Sequence, residues 1–182
     1  MRANKIHIEW LTRLRPFIYR HQSNQSVETI IKSGIGGIIA IGFVSLAGYV
    51  TGNALLMAPF GATCVLLFSV PQSPLSQPMN VVGGHLVSTV VGLSLHMIFP
   101  EQWWALGMAV GLAIALMAVL RITHPPAGAD PLVVFFTEPT WNYILFPVAI
   151  GSIVLVIIAY LFHKITLKTH YPIQVPTSTA EK

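Results

Sequence analysis

The pattern of hydrophobic positions divides the chain into long and short apolar runs separated by polar stretches. The long runs cover residues 29–51, 80–99, 103–122 and 143–162. Each has about the 20 residues that a helix needs to cross a bilayer core of about 30 Å. The short runs, residues 59–70 and 126–137, would form helices only about 18 Å long. The pattern therefore predicts long membrane helices with two half-length helices between them.

Composition agrees with a membrane protein. Hydrophobic residues make up 54% of the chain and charged residues 9%, whereas charged residues are about a quarter of an ordinary soluble domain. The single cysteine, Cys64, excludes an intramolecular disulfide and a thiolate metal cluster. We therefore expect an all-α integral membrane protein with no metal and no cofactor.

The chain also matches itself at an offset of about 67 residues (126 − 59 = 67). At this offset Pro59, Gly61, Ala62 and Phe68 fall on Pro126, Gly128, Ala129 and Phe135. Each unit reads as a long helix, a short broken helix and a long helix, with the first unit at about residues 29–96 and the second at about 97–163. Because all three elements keep their order, we interpret the match as a structural repeat.

The short runs decide how the two units are related. If they cross the membrane, each unit has three passes and the second unit is inverted. If they are re-entrant, the protein has four spans and the units are parallel. Charge favours inversion, because the turn between the units carries only Glu101, and Arg121 then ends the third long run on the cytoplasmic side. Inverted repeats with discontinuous helices are typical of transporters, whose substrate sites lie near the bilayer midplane.

Basic residues near the ends of the apolar runs indicate the orientation. They flank the first run and follow the last: Arg2, Lys5, Arg13, Arg15, Arg20, Lys32, Lys164 and Lys168. Since such residues resist translocation, we expect both termini in the cytoplasm and the protein in a bacterial plasma membrane. We expect a basic juxtamembrane segment at residues 1–28, one membrane domain at 29–163 and a polar tail at 164–182, with no cleaved leader.

The prolines of the short runs suggest a binding site. Proline fits the first turn of a helix, so "APFGAT" predicts a helix start at Pro59 and "HPPAGAD" predicts one at Pro126. Free amide groups at a helix start attract anions. The residues that follow are small and allow close approach: Gly61, Ala62, Gly128 and Ala129. Two such starts that face each other would form an anion site.

An anion buried in hydrocarbon needs further donors, because bare transfer costs on the order of tens of kcal/mol. The nearby polar residues are Thr63, His85, Thr123 and His124. The alternative role of His124 is to bond backbone at the helix start, and that of His85 is to tie neighbouring helices together. His96 and His163 are expected at interfacial helix ends.

Arg121 and Asp130 are the ionisable residues most in need of explanation at this depth. Our leading interpretation is an ion pair between them that shapes the loop. The alternative is that Arg121 attracts anions at the inner mouth while Asp130 handles protons. An ionised, unpaired Asp130 would repel an anion.

At these residues the chain resembles the HPP family of small integral membrane proteins, named for the motif at His124, Pro125 and Pro126. The resemblance covers about residues 29–163 and includes "APFGATCVLLF", "PLSQPMNVVGGH" and "HPPAGAD" in order. It implies four spans, which competes with the six-pass count. Chloroplast and cyanobacterial members are associated with nitrite transport, so it also implies nitrite or a similar small anion as substrate.

The sequence therefore predicts transport of a small inorganic anion through a midplane site between two repeats. A non-transporting scaffold or sensor is the first alternative. A membrane enzyme using His85, His124 and Asp130 has less support, because the chain has no HExxH motif, carboxylate pair or cysteine cluster. The expected partners are the anion, the bilayer and, from the frequency of two-fold symmetry, a second copy of the chain. No nucleic acid partner is expected.

Overall fold

The computed structural model describes residues 13–167 and 170–174. The predicted basic segment and polar tail are therefore described only in part. Arg2, Lys5 and Lys168, which entered the orientation argument, lie outside the described residues.

Within these ranges the regular structure is helical. Residues 13–18 are helical, and the further α-helices are α1 (Val27–Thr51), α2 (Pro59–Ser69), α3 (Pro78–His96), α4 (Trp103–Val119), α5 (Asp130–Thr137) and α6 (Ile150–Phe162). Short 3-10 turns lie at Pro74–Ser76, Pro125–Ala129 and Trp141–Ile144, and π turns lie at Leu145–Ala149 and His163–Leu167. The fold is that of an all-helical membrane protein, as the sequence predicted.

Helix ends follow from local chemistry. The Ser26 side chain accepts a hydrogen bond from the Thr29 amide at 3.2 Å and caps α1, and Gly52 ends this helix with a left-handed φ of 70°. Pro59 opens α2 as predicted. The prediction that the other short helix begins at Pro126 is wrong by four residues. A 3-10 turn comes first, and the α-helix starts at Asp130, one residue before Pro131, whose ring fits only a first turn.

Among the described residues, three helical stretches are long and apolar enough to cross a membrane: Val27–Thr51, Pro78–His96 and Trp141–Thr166. Pro59–Ser69 and Trp103–Val119 are shorter apolar helices. The 17 residues of α4 span about 26 Å at 1.5 Å per residue, slightly less than the bilayer core. The choice between four and six crossings stays a prediction, as do the cytoplasmic termini, the bacterial plasma membrane and the dimer.

Helix α3 lies at the centre, in contact with α4, α5, α6 and the Pro125–Ala129 turn. Helix α2 packs against α1, where Gly36 makes room, since a Cβ there would lie 2.3 Å from the Phe68 ring. The main apolar core joins α1, α2 and α6, and a smaller cluster joins α4 to Phe135 of α5.

Contacts between the two halves recur at the 67-residue offset. A Cβ on Gly84 would lie 3.2 Å from the carbonyl oxygen of Ile122, and a Cβ on Gly151 would lie 2.8 Å from that of Leu55. Both glycines and both carbonyls are equivalent positions of the two units. Each unit therefore packs its last long helix against the other unit in the same way.

His96 and His163, at the ends of the last long helices of the two units, also make equivalent contacts with the other unit. The His163 ring lies 5.9 Å from the Phe68 ring, and the His96 ring lies 5.0 Å from the Phe135 ring, both measured between centroids. His163 lies at a helix end as expected, but it is fully buried and its Nε2 donates to the Leu67 carbonyl at 2.7 Å. These contacts support a repeat, and the inverted orientation of its second unit stays a prediction.

Candidate functional site

A buried polar cluster joins the two halves of the protein. Its members are Thr63 from α2, His85 from α3, His124 from the segment before the Pro125–Ala129 turn, and Asp130, the first residue of α5. All four are fully buried. We call these residues the polar cluster.

His85 is the centre of the polar cluster. Its Nδ1 lies 2.8 Å from Oδ2 of Asp130, and its Nε2 lies 2.9 Å from Oγ1 of Thr63. The same Thr63 oxygen lies 3.0 Å from Nε2 of His124, whose Nδ1 lies 2.8 Å from the Leu75 carbonyl oxygen. The hydrogen bonds therefore form one continuous chain from Asp130 through both imidazoles to the backbone at Leu75.

The repeat and close packing place these groups. Thr63 and Asp130 are equivalent positions at the 67-residue offset. Thr63 contacts Nε2 of His85 and Asp130 contacts Nδ1. Gly84 allows the segment of His124 to approach α3, since a Cβ there would lie 2.7 Å from the His124 Cβ. The Phe60 ring packs edge-on against His85 at 5.3 Å. Both imidazoles are held from more than one side.

Sequence reasoning missed Thr89 as a member of this site. Its hydroxyl donates to Oδ2 of Asp130 at 3.4 Å. The spacing from His85 to Thr89 is four residues, which places both on one face of a helix, and that signal was available. The other carboxylate oxygen of Asp130, Oδ1, is buried and has no hydrogen-bond partner among the described residues.

The predicted ion pair between Arg121 and Asp130 is wrong. Arg121 is exposed and has a φ of 60° just after α4, whereas Asp130 is buried against α3. Among the described residues Lys32 forms an ion pair with Glu28, and the side chain within reach of the Asp130 carboxylate is His85, whose Nδ1 lies 2.8 Å from Oδ2. The left-handed residue turns the chain at the helix end, so the guanidinium and the carboxylate lie in different environments.

Thr123 contributes backbone to the site. Its carbonyl accepts a hydrogen bond from the Asn80 side chain at 3.0 Å, which ties α3 to the segment that carries His124. The neighbouring turn is held in the same way, because the Ser88 hydroxyl donates to the Ala127 carbonyl at 2.6 Å. The predicted role of Thr123 as a side-chain donor has no support in these contacts.

The two short-helix starts line one cavity of about 700 Å³. Its lining residues come from both units at matching positions: Ala58 and Pro125, Pro59 and Pro126, Ala62 and Ala129, Val65 and Leu132, Leu66 and Val133, and also Phe136. Each pair is separated by 67 residues, so the cavity lies where the repeats face each other. Its walls are apolar, and Thr63 and His124 lie next in sequence to lining residues.

The amide groups at these starts are less free than predicted. The amides of Phe60 and Gly61 donate to the carbonyls of Met57 and Ala58 at 3.0 and 3.2 Å. The Ala127 amide donates to the His124 carbonyl at 3.0 Å. The prediction of bare amides is wrong for these three groups, because the chain enters each helix through a tight turn that supplies carbonyl acceptors.

Gly61 and Gly128 have a different environment from the alanines beside them. A Cβ on either glycine would meet nothing within 4 Å, and neither residue lines the cavity. Ala62 and Ala129 are the small residues at the cavity wall. Packing within the chain therefore requires no glycine at positions 61 and 128, and the close approach of an anion to these glycines stays a prediction.

A catalytic triad and a metal site use the same kinds of side chain as the polar cluster. The order Asp130, His85, Thr63 is that of an acid, base and nucleophile in a catalytic triad. However, the Thr63 oxygen is buried between two imidazoles, which leaves no space for the reacting atom of a substrate. Among the residues that the structure describes, no group of three His, Cys, Asp or Glu side chains is arranged to hold a metal ion.

Comparison with known proteins identifies relatives of this chain. The family described as "HPP, transmembrane region" matches residues 22–172. Two transmembrane proteins of Dictyostelium discoideum are 37% identical over 126 residues and 33% identical over 127 residues. Each match covers 65% of this chain but only 40% and 45% of the relatives, so the chain spans less than half of their length. No solved structure matches the chain.

Proposed function

Because the chain belongs to the HPP transmembrane family, we propose that it transports a small inorganic anion across the membrane, with nitrite as the first substrate to test. The observation that carries this proposal is the cavity shared by the two short-helix starts, whose lining residues Ala62 and Pro125 are next in sequence to the buried Thr63 and His124. The anion would pass between the repeats, near the middle of the membrane.

The dimensions of the cavity support passage of a small solute. Its volume of about 700 Å³ lies in the range of ligand pockets. Its walls on both helices include a small residue, Ala62 in one unit and Ala129 in the other. These residues lie close to Thr63 and Asp130 in sequence, so a solute in the cavity would lie near the polar cluster.

The donors for the anion would be mainly side chains. Three amides at the helix starts are already bonded, so the dipoles of the two short helices are a smaller contribution than the sequence suggested. Of the two imidazoles, that of His124 lies next in sequence to a lining residue, Pro125. To donate to an anion it would have to open its hydrogen bond to Thr63, and it can also exchange a proton. Exposed Arg121 would raise the local anion concentration at the protein surface.

Transport is favoured over the two alternatives. A scaffold or sensor that only fixes helix packing would be expected to seal the helix starts with side chains, but here they border an open cavity. A membrane enzyme needs a nucleophile that a substrate can reach, and the nucleophile that the polar cluster would offer, the Thr63 oxygen, is bonded to both imidazoles. We therefore propose a transport protein without enzyme activity.

Filling the cavity tests this proposal. Purified protein in liposomes should give protein-dependent nitrite flux under an anion gradient or a pH gradient. Ala62→Leu and Ala129→Leu add bulk to the cavity wall from each repeat and should abolish that flux while the protein remains folded. Gly111→Leu is the matched control, because it adds a leucine to an exposed helix position where a Cβ meets nothing within 4 Å.

Two results would contradict anion transport through this cavity. One is the absence of protein-dependent nitrite flux under both gradients. The other is wild-type flux in both folded alanine variants, because a blocked cavity cannot then be the path.

A further inference from the structure

We propose that the polar cluster holds one exchangeable proton and gives it to the anion, so that the protein moves the neutral weak acid rather than the bare anion. This inference rests on the proposed function and specifies its substrate class. The substrates would be conjugate bases of weak acids, such as nitrite and formate.

The hydrogen bonds of the polar cluster allow its protons to be counted. Four bonds run from Asp130 to His85, from His85 to Thr63, from Thr63 to His124, and from His124 to the Leu75 carbonyl. Each bond needs one hydrogen. The Thr63 hydroxyl supplies one, and two neutral imidazoles supply one each, but an ionised Asp130 supplies none. Three hydrogens then serve four bonds.

The missing hydrogen lies between the two imidazoles. The Leu75 carbonyl only accepts, so Nδ1 of His124 carries a hydrogen, and an ionised Asp130 requires one on Nδ1 of His85. Both Nε2 atoms are then acceptors, and the single Thr63 hydroxyl hydrogen can serve only one of them. The other nitrogen would face the Thr63 oxygen at about 3 Å with no hydrogen between them.

One added proton completes all four bonds and also makes the polar cluster electrically neutral. It balances the single negative charge of Asp130, whose Oδ1 has no donor among the described residues. If Thr63 instead donated to the Pro59 carbonyl at 3.2 Å, both imidazoles would need an extra proton and the group would be positive. A buried site without counter-charge disfavours both charged alternatives.

The extra proton can occupy several places along the chain of bonds. It can lie on Asp130, on His85 or on His124, and these arrangements interconvert when hydrogens shift along the bonds through the Thr63 hydroxyl. Each shift breaks one N–H or O–H bond and forms the next one. The structure thus provides a proton relay between α5, α3 and the segment before the Pro125–Ala129 turn.

The surroundings contain few other groups that could take this proton. Cys64 of α2 is adjacent in sequence to Thr63, and Tyr143 is the ionisable group near Asp130 from the Trp141–Ile144 turn, with its hydroxyl 3.7 Å from the Met57 sulfur. Near Gly84, α4 contributes the Met117 sulfur. No Lys or Arg side chain in the described part of the chain bonds to the polar cluster.

The apolar cavity explains why the anion should carry the proton. Transfer of a bare anion into apolar surroundings is prohibitive, whereas a neutral acid of the same size loses far less hydration. In the transfer step, an N–H bond of the polar cluster breaks and an O–H bond forms on the anion. The cluster, left with one negative charge, takes a proton from water on the same side, and the acid dissociates on the other side. One proton and one anion cross together.

Substrate competition in proteoliposomes tests this mechanism. At mildly alkaline pH, with a pH dye inside the vesicles, nitrite and formate should acidify the lumen faster than in protein-free vesicles, which report spontaneous permeation of the acids. Nitrate and chloride, the anions of strong acids, should give no protein-dependent signal. The rate should not respond to a potassium diffusion potential, because no net charge moves. Equal flux of nitrate and nitrite, or a rate that follows the potential, would overturn the proposal.

Thr63 provides a matched pair of variants for the relay. Thr63→Val keeps the shape of the side chain but removes the hydroxyl, so luminal acidification should be lost. Thr63→Ser keeps the hydroxyl and should retain acidification. If the valine variant is folded and acidifies the lumen like wild type, the hydroxyl relay is wrong.

Asp130→Asn tests whether the polar cluster holds an exchangeable proton. An amide at this position can donate to Nδ1 of His85, which completes all four bonds with neutral imidazoles and leaves no exchangeable proton. The variant should be folded, and both its acid uptake driven by a pH gradient and its exchange of labelled nitrite should fall, because neither can proceed without the proton that the anion takes from the polar cluster. Acid uptake at the wild-type rate would overturn the one-proton site.

If none of the four anions crosses the membrane, the proposed transport function is rejected. The proton site can still be tested in that case, by a measurement of protein stability. Free imidazoles are largely deprotonated above about pH 6.5, so at higher pH the folded state binds more protons than the unfolded state and stability falls as pH rises. The melting temperature of wild type, followed by tryptophan fluorescence, should therefore fall from about pH 7 to about pH 8, below the range in which the Cys64 thiol of the unfolded chain ionises, and that of Asp130→Asn should change little. Parallel curves would reject the one-proton site.

Discussion

Replacement of Gly84 by alanine is the sharpest test of the packing that builds the site. The added Cβ would lie 2.7 Å from the His124 Cβ and 3.2 Å from the Ile122 carbonyl oxygen. Neither neighbour can easily retreat. Ile122 contributes a backbone atom, and the imidazole of His124 is bonded at both nitrogens, to Leu75 and to Thr63. Gly84→Ala should therefore strain the contact between the two repeats and displace His124.

The magnitude follows from two opposing effects. Overpacking a tight contact costs about 1–3 kcal/mol, and alanine stabilises a helix relative to glycine by about 0.5–1 kcal/mol. We therefore expect Gly84→Ala to lower the free energy of unfolding by about 0–2.5 kcal/mol, with a central value of about 1 kcal/mol. Gly111→Ala is the control, because its Cβ meets nothing within 4 Å, and it should be at least as stable as wild type.

The lone cysteine supplies the assay. Cys64 is the only cysteine in the chain and is buried, so a fluorogenic thiol reagent should react with it when the protein unfolds. Heating both variants in the same detergent gives melting curves that can be compared directly. If Gly84→Ala melts at or above the temperature of Gly111→Ala, the close approach of the repeats at this glycine does not constrain the fold and the reasoning is refuted.

Two further stability predictions use the same assay. Ser26→Ala removes the side chain that accepts from the Thr29 amide at the start of α1, which should cost about 1 kcal/mol; an unchanged melting curve would show that this cap does not stabilise the fold. Tyr171→Phe removes a buried hydroxyl that donates to the Ser76 carbonyl at 3.1 Å but keeps the ring, so it should cost about 1 kcal/mol and increase proteolysis of the chain after His163. Equal protease resistance would contradict a role for that hydrogen bond in holding the C-terminal segment.

Much of the helical structure of this protein can be predicted from local sequence patterns. The apolar runs, interrupted by prolines, predict long and short helices, because the length of an apolar run and the missing amide of proline act within a few residues. The match of Pro59 with Pro126 predicts two related units. The sequence also marks Thr63, His85, His124 and Asp130 as candidate site residues, because polar residues are costly inside a membrane and are therefore rare in apolar segments.

Only the tertiary structure decided how those residues are paired. Sequence proximity suggested Arg121 as the partner of Asp130, but the carboxylate bonds to His85, 45 residues away, because α3 and not the end of α4 packs against the start of α5. The occupied amides at the helix starts and the apolar cavity also depend on turns and long-range contacts. Periodicity and propensity act over one or two helical turns, whereas the choice of hydrogen-bond partner in a buried site is made by whichever helices the whole chain brings together.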